Sequence, residues 1–115
     1  MDNTINIGSQ IKRGSAELAI LSVLADEPLH GYEIARRIEQ QSQGLLRFNH
    51  ASLYPLLYRM ENLGWVTSKW EGSAAGRRRR YYWLAPAGKR RIAPLRAEWS
   101  QLFRALSFLA GVTHA

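Results

Sequence analysis

The sequence contains no cysteine. Disulfides, thiolate nucleophiles and thiolate metal ligands are excluded, and a cytoplasmic location is expected. Histidine is scarce: His30, His50 and His114 are scattered, without the spacing of a metal site. Neither a glycine-rich phosphate loop nor a nucleophile elbow occurs. No catalytic residue, no metal and no cofactor are therefore expected. Long apolar runs are also missing. The longest, "LAIL" and "FLAGV", fall far short of the roughly 20 residues a membrane-spanning helix needs. The opening "MDNTINIGSQ" lacks the basic-then-apolar profile of a secretory signal, and no membrane partner is expected.

Acidic residues are few, 9 Asp and Glu against 16 Lys and Arg, giving a formal net charge of +7 and a pI of about 10.4. Lysine is rare among the cations: 13 of them are arginines. Planar guanidinium groups suit bidentate contacts to phosphate better than ammonium groups do. The charge balance points to a polyanionic partner, nucleic acid ahead of an acidic membrane surface.

The 115 residues fit one small domain. Their pattern predicts helix, helix, helix, hairpin, helix. The first helix is expected over Ser9–Ala25, with Ile11, Leu18, Ile20, Leu21 and Leu24 as its apolar stripe and "DEPLHG" as its end. The second is expected over Gly31–Ser42, with Ile34, Ala35 and Ile38 on one side; His30 reads as a turn residue before it. In the third, "SLYPLLYRMENLGWV", Leu53, Leu56, Leu57 and Met60 recur at three- and four-residue spacings and Gly64 stands where a C-terminal cap belongs. Two strand-like runs follow, "WVTSKW" and "RRYYWLA", joined by the glycine-bearing loop "EGSAAGR". The last helix follows Pro86, a favoured first-turn residue. Pro94 is expected to kink it or to delay its regular part.

The third helix carries the functional signal. With Leu53 at the centre of the buried face, Leu57, Met60 and Gly64 stay near that line at 3.6 residues per turn. Ala51, Pro55, Tyr58 and Asn62 then point away, with Tyr54 and Arg59 on the flanks. Ser52 is the natural cap if the helix starts there, which makes Pro55 a first-turn residue. A start at Asn49 would cost one backbone hydrogen bond, and the sequence leaves both open. A helix N-terminus with free N–H groups suits phosphate, and an outward Tyr–Asn–Arg face can reach base edges or backbone in a major groove. Directly after the flexible loop comes "RRRR", Arg77–Arg80. Three helices and a hairpin make the layout of a winged helix-turn-helix. Arginines in its wing can neutralise phosphates or enter a narrow minor groove.

"LAILSVLADEPLHGYEIARRI", "ASLYPLLYRMENLGWV" and "RRYYWLAPAGKRRI" together resemble the PadR family of bacterial transcriptional regulators. "HGYEI" and "LYPLLYRMENLGW" are the most specific segments, and the similarity spans roughly residues 10 to 110. The resemblance implies a mainly α fold with a small β-hairpin: a winged helix-turn-helix DNA-binding domain over residues 1–85 and a single C-terminal dimerisation helix over 86–115. It places the recognition helix on Ser52, Leu53, Tyr54, Pro55 and Tyr58, and the wing on Lys69–Tyr81. The expected DNA-binding set is Tyr32, Asn49, His50, Ser52, Tyr54, Pro55, Tyr58, Arg59, Lys69, Arg77, Arg78, Arg79 and Arg80. One departure from the family is Ala85, where a Thr or Ser often caps the last helix.

On the last helix Ile92, Leu95, Trp99, Leu102, Leu106 and Leu109 form a heptad seam, widened by Phe103 and Phe108. Each buried Leu or Phe contributes about 1.5–3 kcal/mol, so this surface is expected to meet a second copy, with Ile5, Ile7 and Ile11 crossing to the partner subunit. A twofold dimer suits half-sites about 34–36 Å apart, hence a near-palindromic double-stranded operator. The family resemblance also implies an effector pocket for a small aromatic molecule at Trp99 and Phe103, whereas the spacing alone reads Trp99 as plain core. The resemblance implies a homodimeric repressor. The competing class is a basic winged-helix module binding an acidic protein or membrane surface.

Overall fold

A computed structural model describes residues 5–72 and 78–111, the side chains of residues 5–13 excepted. Ile5, Ile7, Ile11 and Arg77 therefore lie outside the described side chains. Seven elements follow in order: α1 (Ile5–Asp26), β1 (Leu29–His30), α2 (Gly31–Gln41), α3 (His50–Asn62), β2 (Val66–Gly72), β3 (Arg78–Leu84) and α4 (Pro86–Ala110). The three strands form one antiparallel sheet in the order β1-β3-β2. Three helices packed against a small sheet, with β2 and β3 as its hairpin, make a winged helix-turn-helix.

One core joins all the elements. Ile20, Leu21 and Leu24 of α1 meet Ile34 and Ile38 of α2, Leu53, Leu57 and Met60 of α3, and Val66, Tyr82 and Leu84 of the sheet. Leu53, Leu57 and Met60 are fully buried, at about 1.5–3 kcal/mol each. Burying those three fixes the rotation of α3 about its axis, which in turn decides what α3 shows to solvent.

The ends of α3 obey local chemistry. Asn49 is the cap: its Oδ1 accepts from the Ser52 N–H at 2.8 Å. Of the two starts the sequence leaves open, α3 takes the one at Asn49, and Ser52 supplies the donor. Pro55 consequently lies inside the helix rather than in its first turn, and the Ala51 carbonyl forgoes its intrahelical bond. At the other end the Trp65 N–H donates to Met60 O at 2.9 Å and the Gly64 N–H to Glu61 O at 3.0 Å. Gly64 has φ +79°, a left-handed conformation that glycine adopts without a Cβ penalty.

Two further expectations change. His30 is not a simple turn residue; with Leu29 it forms β1, pairing with Tyr81 and Tyr82. The last helix runs unbroken from Pro86, so its regular part does not start later. Pro94 and Arg90 are both exposed, so the carbonyl that loses its donor lies on the solvent side.

The first part of α4 belongs to the core. Leu95 is 4% exposed and Ile92 packs against the same cluster. Both were expected at a dimer interface. Leu95 is corrected to the chain's own interior, because a side chain buried to this degree has no surface left for a partner; Ile92 is only partly buried and keeps some surface. The heptad spacing could not separate the two roles. Gly88 brings α4 so close to the Trp65 carbonyl that any Cβ there would collide with it. The same carbonyl accepts from the Ala85 N–H at 3.0 Å. Ala85 is the N-cap residue and makes no side-chain capping bond.

Candidate nucleic-acid interface

The rotation of α3 turns Tyr58 outward, 69% exposed. Tyr54, one helix turn earlier, leans sideways onto the start of α2. Its phenol rests so closely on Gly31 that a Cβ there would stand 2.6 Å from the hydroxyl. That contact explains the glycine of "HGYEI". The His50 ring lies 5.7 Å from both Tyr32 and Tyr54. Tyr32, His50 and Tyr54 thus form an aromatic ladder linking the N-termini of α2 and α3. Asn49, Ser52 and Pro55 are exposed beside it.

Across from this ladder stands the wing. Side chains alternate along a strand. The pairings Ser68↔Tyr82, Trp70↔Arg80 and Gly72↔Arg78 therefore put Trp70, Arg78, Arg80 and Tyr82 on one face. That face and the ladder enclose a cleft of about 740 Å³, lined by His30, Gly31, Tyr32, Tyr54, Tyr58, Trp70, Arg78, Arg79, Arg80 and Tyr82. No carboxylate is among those residues. Burial pushes the Tyr82 phenol above its ordinary pKa of 10.0, with Arg80 pulling the other way, so the phenol stays neutral. Arg78 and Arg79 have no carboxylate partner among the described residues.

Other expected residues sit elsewhere. Arg59 turns away from the cleft, its Nη1 donating to Glu17 Oε2 of α1 at 2.7 Å. Arg59 stays 44% exposed on the flank of α3, but its charge is answered by Glu17, which is 7% exposed. Lys69 occupies the opposite strand face from Trp70, in register with Tyr81, and does not line the cleft. Arg80 is engaged on both sides, with Nε donating to Ser68 Oγ at 2.9 Å and Nη2 to Glu61 Oε1 at 3.3 Å.

Sequence reasoning missed His30, Gly31, Trp70 and Tyr82. Period-two alternation along "RRRRYYW" could have paired Tyr82 with Arg80 and Arg78. Trp70 could not be added without the cross-strand register.

With this geometry in hand, the chain matches the model of the transcriptional regulator PadR-like family over residues 20–94. The chain belongs to that family. Like its fellow members, this PadR-like protein is a transcriptional regulator. It is 30% identical over 105 residues to a transcriptional regulator of Mycobacterium tuberculosis, covering 91% of this chain and 92% of that one. It superposes on a transcriptional regulator from Clostridium thermocellum with a TM-score of 0.80 at 26% identity, over 88% of this chain and 98% of the other. A PadR-like transcription factor from Bacteroides fragilis gives 0.76 at 30% identity, over 91% and 99%.

A second aromatic surface of the PadR-like chain lies on α4. Trp99 packs over Gly14 of α1, where a Cβ would stand 3.4 Å from the indole, and its ring centroid is 6.1 Å from that of Phe103. A shallow hollow of about 340 Å³ between Gly14, Glu17, Arg91, Leu95, Glu98, Trp99 and Leu102 adjoins it. Beyond Trp99, Leu102, Phe103, Leu106, Phe108 and Leu109 are exposed. No helix among the described residues is long and apolar enough to cross a membrane.

Proposed function

We propose that this regulator is a homodimeric, cytoplasmic repressor that reads double-stranded DNA through α3 and the wing, and that a small aromatic effector releases it. Residues 1–85 act as the DNA-binding unit. Residues 86–115 supply the dimerisation helix, whose first turns also close the core. The observation carrying the reading is the cleft: Tyr58 stands exposed on α3 and shares its lining with Arg78 and Arg79, which have no carboxylate partner among the described residues. In this reading Tyr58 and the N-terminal side chains of α3 contact base edges and phosphates in the major groove. The wing arginines lie along the backbone and release counterions.

The dimer reading rests on Leu102, Phe103, Leu106 and Leu109, with Trp99 at its inner edge. Exposed apolar surface of that extent on one helix marks an interaction site. Twofold pairing would set two α3 helices toward successive half-sites about 34–36 Å apart, and hence toward a near-palindromic operator. Trp99 and Phe103 are the proposed effector contacts.

A gel shift with the DNA upstream of the protein's own coding region, on material sized by sedimentation, tests the core of the reading. The expected result is a dimer that prefers this DNA over random duplex, with affinity falling steeply as salt rises. Equal binding to all duplexes, or none, would favour an acidic protein or membrane surface as the partner of the arginines.

A further inference from the structure

Trp70 stands on β2 directly opposite Arg80 and one diagonal step from Arg78. It is 50% exposed, so one part of the indole remains open to the cleft. Two cations meet it. The guanidinium carbon of Arg80 lies 5.2 Å from the ring centroid and that of Arg78 5.3 Å, both within the ~6 Å reach of cation–π attraction.

The two arginines differ in what else secures them. Arg80 is tied to α3: it donates to Ser68 and Glu61, and Ser68 Oγ donates to Glu61 Oε2 at 2.7 Å. Its charge is answered by Glu61. Arg78 has no such carboxylate among the described residues, and its recorded contact is the indole. A guanidinium lying over a ring keeps its in-plane N–H groups available. Arg78 can thus be held by Trp70 and still donate to an anion in the cleft.

We propose that Trp70 is a positioning residue of the nucleic-acid interface: fastened to α3 through Arg80 and Glu61, its indole holds Arg78 ready for the phosphodiester backbone. The proposal rests on the DNA-binding reading above. Its physical content is pre-organisation. A free arginine surrenders rotamer freedom when it docks on a phosphate, whereas a stacked one has surrendered part of it already.

The test uses the full chain and a fluorescently labelled random-sequence duplex, with binding followed by anisotropy at several salt concentrations. Four variants are compared: Trp70→Ala, Trp70→Phe, Arg78→Ala and the double Trp70→Ala/Arg78→Ala. Arg78→Ala is expected to weaken binding and to lower the salt slope by about 1. Trp70→Ala is expected to weaken binding about three- to tenfold when Arg78 is present. With Arg78 already removed, it should add less than about a factor of two. Trp70→Phe keeps a ring face and should retain most of the affinity.

Equal losses from Trp70→Ala in both backgrounds would mean that the indole acts on its own account, and would overturn the proposal. So would normal binding by Trp70→Ala beside weak binding by Arg78→Ala; the DNA-binding reading would survive that result. If Arg78→Ala binds like the parent chain, the proposal is overturned; if the parent chain itself shows no salt-dependent binding to duplex, the DNA-binding reading fails with it.

Discussion

The cleft and the far half of α4 both expose aromatic rings, but they surround them differently. In the cleft, Tyr32, Tyr54, Tyr58 and Trp70 stand among Arg78, Arg79 and Arg80. On α4, Trp99, Phe103 and Phe108 stand among Leu102, Leu106 and Leu109, and the only charge from Trp99 to Ala110 is Arg104. Hydroxyl groups and guanidinium donors suit a partner that is itself polar and anionic, because each donor must exchange water for another acceptor. Rings among leucines offer no such exchange and gain only by removing area from water. The same residue class therefore makes two chemically different surfaces, and its neighbours decide what kind of partner each would suit.

The contrast breaks most visibly on α4. Leu106→Glu places a carboxylate in the proposed dimer face, and twofold symmetry counts the change twice. Losing two buried leucines weakens association by about 3–6 kcal/mol; sedimentation should then report monomers. The thermal melt of the isolated protomer should scarcely move, since Leu106 is exposed in it. Leu95→Ala tests the inner half of the same helix. It should lower stability by about 2–5 kcal/mol in a denaturant titration and leave the association constant of the folded fraction unchanged. If instead Leu95→Ala splits the dimer without loss of stability, the division of α4 into a core half and a partner half is wrong.

Tyr58→Ala sharpens the other side. It should reduce preference for the operator over random duplex by about 1–3 kcal/mol, read from competition gel shifts. Dimerisation should not change, because Tyr58 lies on α3 and not on α4.

Much of this division was legible in the sequence. The spacing of Leu53, Leu57 and Met60 sets the rotation of α3 and so turns Tyr58 outward, and the arginine run marks the wing. The rest depends on contacts that periodicity does not encode. Leu95 continues the heptad seam of Leu102 and Leu106 without a break, and the spacing is the same whether the covering surface is α1 of the same chain or a second copy. Arg59 finds Glu17, 42 residues away in sequence, and nothing local announces the pair. β1 has two residues, too few for any alternation to show. Trp70 meets Arg80 only through the register of the hairpin.

The smallest expected effect falls on Asn49, which caps α3 and stands exposed at its N-terminus, outside the cleft lining. Asn49→Ala removes the cap from the Ser52 N–H, at a cost of about 1 kcal/mol in stability. Asn49→Asp keeps an acceptor in the same place and adds a negative charge that the helix dipole favours, so stability should return to the parent value or slightly above it. The added charge, however, points at the surface proposed to meet phosphate. Asn49→Asp should therefore bind DNA more weakly than Asn49→Ala although it is the more stable of the two, with dimerisation equal in both. Thermal melts alongside gel shifts measure the two orders. Because Asn49 both caps α3 and stands exposed, only opposite rankings of stability and affinity separate what Asn49 does for α3 from what α3 does for DNA. Parallel rankings would place the N-terminus of α3 away from the nucleic acid.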